Sequence, residues 1–271
     1  MLTAQITKQA TTSMTARISS INLNVNSLDK IADFYSNILG MQVSNEPEDA
    51  VSCAFTTEGC KITFNNKSDL TDYVARDNGF YWKIGITVKN LIVASKYLKK
   101  NGIVVTEPRQ FKDIGYMCHL RDPAGFSIEL LQCGFEGKEQ PVPDGHPIGV
   151  QATLAHITLR VTDIIAAQQY FEHTLGMRLM SVQPVSDYHF CLYFYTWTDD
   201  TLPDPNLASV KNRQWLWARP YTLVELQRLQ APDATIHKAG PGEAGFNGFT
   251  FRTSTSEQLT EVSLSDLETL E

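Results

Sequence analysis

The sequence contains no Cys-x-x-Cys spacing, no apolar run near the ~18–20 residues that a membrane-crossing helix needs, and no block of basic residues. Each absence excludes a class. The five cysteines (Cys53, Cys60, Cys118, Cys133 and Cys191) are odd in number and scattered, which argues against a disulfide scaffold and for a reducing, cytoplasmic setting. Basic side chains number 23 against 30 acidic, a net charge of −7 without clustering, so neither nucleic acid nor a membrane is an expected partner. Glycine-rich phosphate loops, dinucleotide fingerprints and nucleophile elbows are missing as well.

What is present is material for a core. With 42% of its 271 residues apolar, the chain can build one large domain or two ordinary ones. It also repeats. Ile21-Asn-Leu-Asn-Val25, Phe34-Tyr35 and Leu39-Gly40-Met41 return 136 positions later as Ile157-Thr-Leu-Arg-Val161, Tyr170-Phe171 and Leu175-Gly176-Met177, with six identities and no slip in offset. In each copy an alternating strand leads into a helix with one apolar face, capped by Ser27 or Asp163 and stopped by Gly40 or Gly176.

Three strand signals follow each helix, the last in the second copy running over 214–229. A weaker copy starts at Tyr81, with its helix over 90–101. A fourth starts at Gly245, with a helix over 256–269, and reads as truncated. Residues 134–151 hold four Gly and three Pro and read as a linker. The expected layout is a disordered tail (1–16), an N-terminal pair of modules (17–135), a linker (136–151), and a C-terminal domain of one full and one truncated module (152–271).

These motifs, together with Arg121-Asp-Pro-Ala-Gly-Phe-Ser-Ile-Glu-Leu130, resemble the vicinal oxygen chelate superfamily of glyoxalase I, extradiol dioxygenases and bleomycin-resistance proteins. The C-terminal half is most similar to glyoxalase I. The resemblance implies an α+β fold of tandem βαβββ modules forming curved mixed sheets. It also implies a divalent ion held by one residue early in the first strand and a Glu late in the fourth strand of paired modules, chelating neighbouring substrate oxygens.

Carried onto this chain, those positions read Ser20, Lys83 and Glu129 in the N-terminal half, with no carboxylate in Lys61-Ile-Thr-Phe-Asn65. An ammonium cannot join a carboxylate in holding a dication. Lys83 either pairs with Glu129, supplying the positive charge itself, or snorkels to solvent. In the C-terminal half the resemblance implies His156 and Glu225 as metal ligands, for Zn, Ni, Mn or Fe, and Glu225 as base. The fourth module reads Gly248 where an imidazole is needed, so two ligands stand alone unless a partner chain completes the site. His119, His146, His173, His189 and His237 are poorer candidates.

Alternation places Tyr188, Phe190, Leu192 and Phe194 on one strand face. Trp217, Arg219 and Tyr221 share the parity of Glu225 if 214–229 is one strand. With Arg160, which by resemblance contacts the glutathione carboxylate, they describe an aromatic-walled pocket with few polar groups. The basic residues that the family places before the fourth module read Glu243-Ala244, which disfavours glutathione. Two functions follow: a binder of a small anionic or aromatic molecule without metal or catalysis, or a divalent-metal lyase, isomerase or dioxygenase using His156 and Glu225. A homodimer is expected in either case.

Overall fold

The structure is a computed structural model describing residues 16–138, 141, 144–253, 258–267 and 270. The expected N-terminal tail lies almost wholly outside the described residues. Four modules follow in order. The first comprises β1 (Ala16–Val25), α1 (Ile31–Asp33), β2 (Gln42–Glu46), β3 (Ala50–Ala54) and β4 (Lys61–Asn66). The second comprises β5 (Tyr81–Val88), α2 (Leu91–Lys100), β6 (Arg109–Phe111), β7 (Gly115–Arg121) and β8 (Ser127–Gln132). The third has β9 (Thr153–Val161), α3 (Ile164–Gln168), β10 (Arg178–Val185), β11 (Phe190–Thr196), α4 (Val210–Leu216) and β12 (Leu223–Leu229). The fourth has β13 (Gly245–Thr253) and β14 (Leu259–Ser263). The architecture is the expected α+β.

The repeat survives in fine detail. Both α1 and α3 widen into a π-helical turn, at Phe34–Ile38 and Gln169–Thr174. Both then stop at a glycine in the left-handed region, Gly40 at φ 74° and Gly176 at φ 68°. Asp163 caps α3 as expected, its Oδ1 accepting from Ile165 N and Ala166 N at 2.8 and 3.0 Å. Ser27 does not cap α1. Its hydroxyl accepts only from Asp29 N, and the helix opens later, after Lys30.

Sheet pairing departs from the expected halves. One sheet runs β14-β13-β1-β4-β3-β2 and the other β10-β11-β12-β9-β5-β8-β7-β6. The second module therefore pairs with the third, and the first with the fourth. Each sheet takes one module from each half of the chain, because first strands join first strands antiparallel: β5 with β9 and β1 with β13. Aromatic side chains fill the space between. Tyr35 sits 5.1 Å from Phe64, Phe64 lies 6.4 Å from Phe126, and Tyr73 stacks on Phe126 at 4.0 Å. The Asp122 carboxyl of the Asp-Pro-Ala-Gly turn is buried here, accepting from Tyr35 Oη at 3.0 Å, and burial pushes it up to about 7.

Two local expectations are corrected. Within 214–229, the chain forms α4 up to Leu216 and the strand begins only at Leu223. The helix buries Asn212, Arg213 and Leu216, one turn-spaced face that the alternating Trp215, Trp217 and Arg219 disguised. Pro220, without an N–H, sits in the break. In the fourth module, residues 259–263 are a strand rather than part of a helix over 256–269. They pair antiparallel with β13 and satisfy that strand's open edge. Among the described residues, no helix is long and apolar enough to cross a membrane.

Candidate functional site

The centre of the eight-stranded sheet brings four ionisable side chains together. In the register, His156 on β9 lies opposite Gly85 on β5, and Gly85 lies opposite Glu129 on β8. One step along, Thr158 lies between Lys83 on β5 and Glu225 on β12. All four groups are buried, with Lys83 4%, Glu129 2%, His156 0% and Glu225 1% exposed. Gly85 makes this possible. A Cβ there would stand 2.0 Å from His156 Cε1, so the imidazole occupies the space above a residue without a side chain.

Lys83 lies among the acids. Its Nζ donates to Glu129 Oε2 at 2.6 Å and lies 3.9 Å from Glu225 Oε1. His119 Nε2 is 2.9 Å from the same Glu129 oxygen. His156 Nε2 stands farther off, 3.5 Å from Glu129 Oε1 and 3.7 Å from Glu225 Oε2, and neither of its buried ring nitrogens has a hydrogen-bond partner. Thr158 Oγ1 donates to Glu225 Oε1 at 3.0 Å and fixes that carboxylate. Burial alone would raise the Glu129 carboxyl. The Lys83 ammonium and the His119 and His156 imidazoles outweigh it and hold the group well below the usual carboxylate range.

Above this cluster is a cavity of about 220 Å³. Lys83, Glu129, Glu225, His119 and Gln227 supply its polar surface, with Arg109. Trp82, Phe111, Ile114, Met117, Tyr188, Phe190 and Leu192 supply the apolar walls. Phe111 and Tyr188 meet edge-to-face at 5.3 Å. Beside them Lys112 pairs with Asp187, tying the β6–β7 turn to the one before β11.

Trp82 is there because of a bulge. The β5–β9 register shifts between Tyr81 and Lys83, so two consecutive residues face the same cavity. The Trp82 ring then lies 4.1 Å from Lys83 Nζ and stacks on His119. A larger hollow of about 650 Å³ on the outer side shares Trp82 and His119. Another of about 330 Å³ lies between the segments preceding β5 and β13, where Arg76 and His237 pair with Glu243.

The expected site residues divide. His156 and Glu225 do come together, and Tyr188, Phe190 and Leu192 do line the cavity. Phe194 and Trp217 lie beneath it, packed against each other at 5.5 Å, with Trp217 also 5.5 Å from His156 and donating to Ile114 O. Arg160 does not line the cavity but lies behind its wall, its guanidinium 4.8 Å from the Trp82 ring. Its guanidinium is held by Gln227 Oε1 and the carbonyls of Arg76 and Gly79.

Arg219 and Tyr221 are outside, around Asp200. They were placed with Glu225 by a strand parity that α4 interrupts. The expectation that Lys83 and Glu129 serve a separate N-terminal pair is corrected too: they complete the cluster of His156 and Glu225 within one chain. His119 and Trp82 were missed. The register opposing His119 to Glu129 and the bulge at Trp82 become visible only once strands are paired.

A divalent ion does not fit the cluster as it stands. Among the described residues, no group of three His, Cys, Asp or Glu is set to hold one. The donor set works against an ion as well: an ammonium, which has no lone pair to give, lies between the two carboxylates.

Comparison with known proteins agrees with this architecture. Residues 17–130 match the model of the Glyoxalase/Bleomycin resistance protein/Dioxygenase superfamily. Over 188 residues the chain is 26% identical to a protein of Arabidopsis thaliana named probable lactoylglutathione lyase, chloroplastic, covering 65% of this chain and 49% of that one. It is 27% identical over 175 residues to lactoylglutathione lyase GLX1 of the same plant, covering 60% of this chain and 56% of the relative. The chain thus spans about half the length of these relatives. The crystal structure of glyoxalase I from Zea mays superposes with a TM-score of 0.60 at 18% identity, over 89% of this chain and 75% of that one. Residues 17–130 are thus similar to the glyoxalase/bleomycin resistance/dioxygenase superfamily, and the fold is shared with glyoxalase I over most of the chain.

Proposed function

We propose that this chain binds a small, planar organic molecule, aromatic or acidic, in the cavity of the eight-stranded sheet, without a metal ion. One observation carries the reading: Lys83 Nζ, at the floor of an aromatic-walled cavity, sits among the positions where the superfamily resemblance puts a divalent ion. An ammonium has three donors, of which Glu129 takes one at 2.6 Å. A carbonyl, phenol or carboxylate oxygen of a ligand can take another, with Trp82 and Phe190 against its flat faces. Arg109 at the rim suits an acid group.

At about 220 Å³ the cavity lies below the roughly 300–1,000 Å³ that holds drug-sized ligands, which favours a compact molecule. The glutathione of the relatives' names is a poor match, since Arg160 is already occupied by Gln227 and two carbonyls.

The test is isothermal titration of the native chain and of Phe190→Ala with aromatic acids, aromatic α-keto acids and simple aromatic ketones. The expected result is sub-millimolar binding of at least one class, weakened ten- to a hundredfold in the variant. Binding of none, or equal binding by both proteins, would end the reading.

A second reading is favoured by the position of Glu225, which lines the cavity 3.9 Å from the ammonium. A carboxylate beside a cationic donor can move a proton next to a carbonyl whose oxygen the donor holds. Exchange of a bound ketone's α-hydrogens in deuterated water, lost in Glu225→Gln, would distinguish catalysis from binding. The cytoplasmic location and the homodimer belong to the same proposal, and light scattering of the purified chain checks the latter.

A further inference from the structure

The cluster carries more information than its occupancy. Two carboxylates and an imidazole are buried around one point, and the sheet register holds them there. His156 Nε2 is 3.5 Å from one Glu129 oxygen and 3.7 Å from one Glu225 oxygen. A tetrahedral ion with bonds of ~2.1 Å keeps its donors about 3.4 Å apart. His156 Nε2 therefore stands from each of the two carboxylates at about the spacing of neighbouring donors in a coordination shell.

His156 is also unsatisfied. It is fully buried with no partner at either ring nitrogen, an uncommon state for an imidazole. What departs from a metal site is Lys83, which brings a fixed positive charge within 2.6 Å of Glu129 and 3.9 Å of Glu225.

We propose that the Lys83 ammonium is the built-in cation of this site: it takes the place of a divalent ion, keeps such ions out of the native chain, and covers a latent metal site made of Glu129, His156 and Glu225. A dication entering the native cluster would face an ammonium at close range in a poorly screened interior. It would also lose Glu129 Oε2 to two other donors, Lys83 and His119. Replacing Lys83 with a neutral residue removes the repulsion and leaves two buried carboxylates in need of positive charge. Glutamine at 83 would add an oxygen donor from the fourth direction. The inference concerns the cation alone and stands whichever organic ligand the cavity takes.

The experiment titrates Co²⁺ and Zn²⁺ into the native chain, Lys83→Gln, and Lys83→Gln combined with His156→Ala. Binding is read by calorimetry and by the visible absorption of bound Co²⁺, with circular dichroism as the fold control. The native chain should take up no stoichiometric ion. K83Q should bind one per chain at least a hundredfold more tightly than the native chain, with the absorption of a low-coordinate Co²⁺, and the double variant should lose it.

If K83Q folds poorly, it is refolded with and without Co²⁺, and recovery only with the ion supports the proposal. It is overturned if the native chain binds one ion tightly, if folded K83Q binds no better than native, or if Co²⁺ fails to rescue an unfolded K83Q. A failed ligand screen would leave these outcomes untouched, so the two readings fail separately.

Discussion

The two sheets of this molecule share a backbone plan and differ in what they hold. In the eight-stranded sheet, β5 meets β9 antiparallel at Ile84 and Ile157; in the six-stranded sheet, β1 meets β13 antiparallel at Ile21 and Phe249. Each has a register shift at the same place, beside Trp82 in one and Ser19 in the other. Where the first sheet has Lys83 and Glu129, the second has Ser20 and Thr63, whose hydroxyls meet at 2.7 Å.

Where it has His156, the second has Gly248. A Cβ at 248 would stand 2.2 Å from Val262 O on β14, the strand that fills the edge. An ion cluster and a hydroxyl pair are thus alternative fillings of one scaffold. The chemistry belongs to four positions rather than to the fold.

The comparison is most exposed to a change at Lys83. Lys83→Met leaves Glu129 and Glu225 buried without their cation, which costs on the order of 3–5 kcal/mol in urea unfolding at pH 7. A loss under about 1 kcal/mol would mean that the cluster is no more demanding than the hydroxyl pair.

Next comes Gly85→Ala. Its Cβ collides with the His156 ring, so the variant should lose about 1–3 kcal/mol. His156→Ala should return most of that loss in a double-mutant cycle. No side-chain change should rescue Gly248→Ala, because its Cβ meets the backbone of Val262.

A subtler difference is in pH. The Glu129 carboxyl is depressed in the folded chain, so its stabilisation is complete above the unfolded value, ~4.3, and fades as the pH falls through the lower folded value. Without Lys83 that carboxyl rises and protonation relieves it. The penalty of Lys83→Met should therefore be smaller at pH 4 than at pH 7, and equal penalties in the two unfolding curves would contradict the pairing. The smallest effect is expected for Ser20→Ala, about 1 kcal/mol or less, with no change in ligand binding. Any effect on binding would show that the six-stranded sheet is more than scaffold.

Much of this was legible before strands were paired. The repeat named its own modules, since a strand, a helix and a left-handed glycine recur at one offset and are local features. The Tyr188, Phe190, Leu192 wall followed from alternation, and His156 and Glu225 from the superfamily resemblance. Trp217, Arg219 and Tyr221 were misplaced because period two also occurs by accident in a helix and the loop after it. Lys83 and Glu129 were recognised as a candidate ion pair but assigned to the wrong neighbour, since nothing local says whether a module pairs with the next one or the one after.

By itself, then, the order of residues determined four modules and an aromatic wall and, through the superfamily resemblance, an ammonium where an ion-binding residue could stand. Only tertiary structure decided that this ammonium meets His156 and Glu225, that Trp82 turns inward and that His119 joins. Module pairing, register and bulges are set by hydrogen bonds between strands distant in sequence, and those bonds exist only in the assembled sheet.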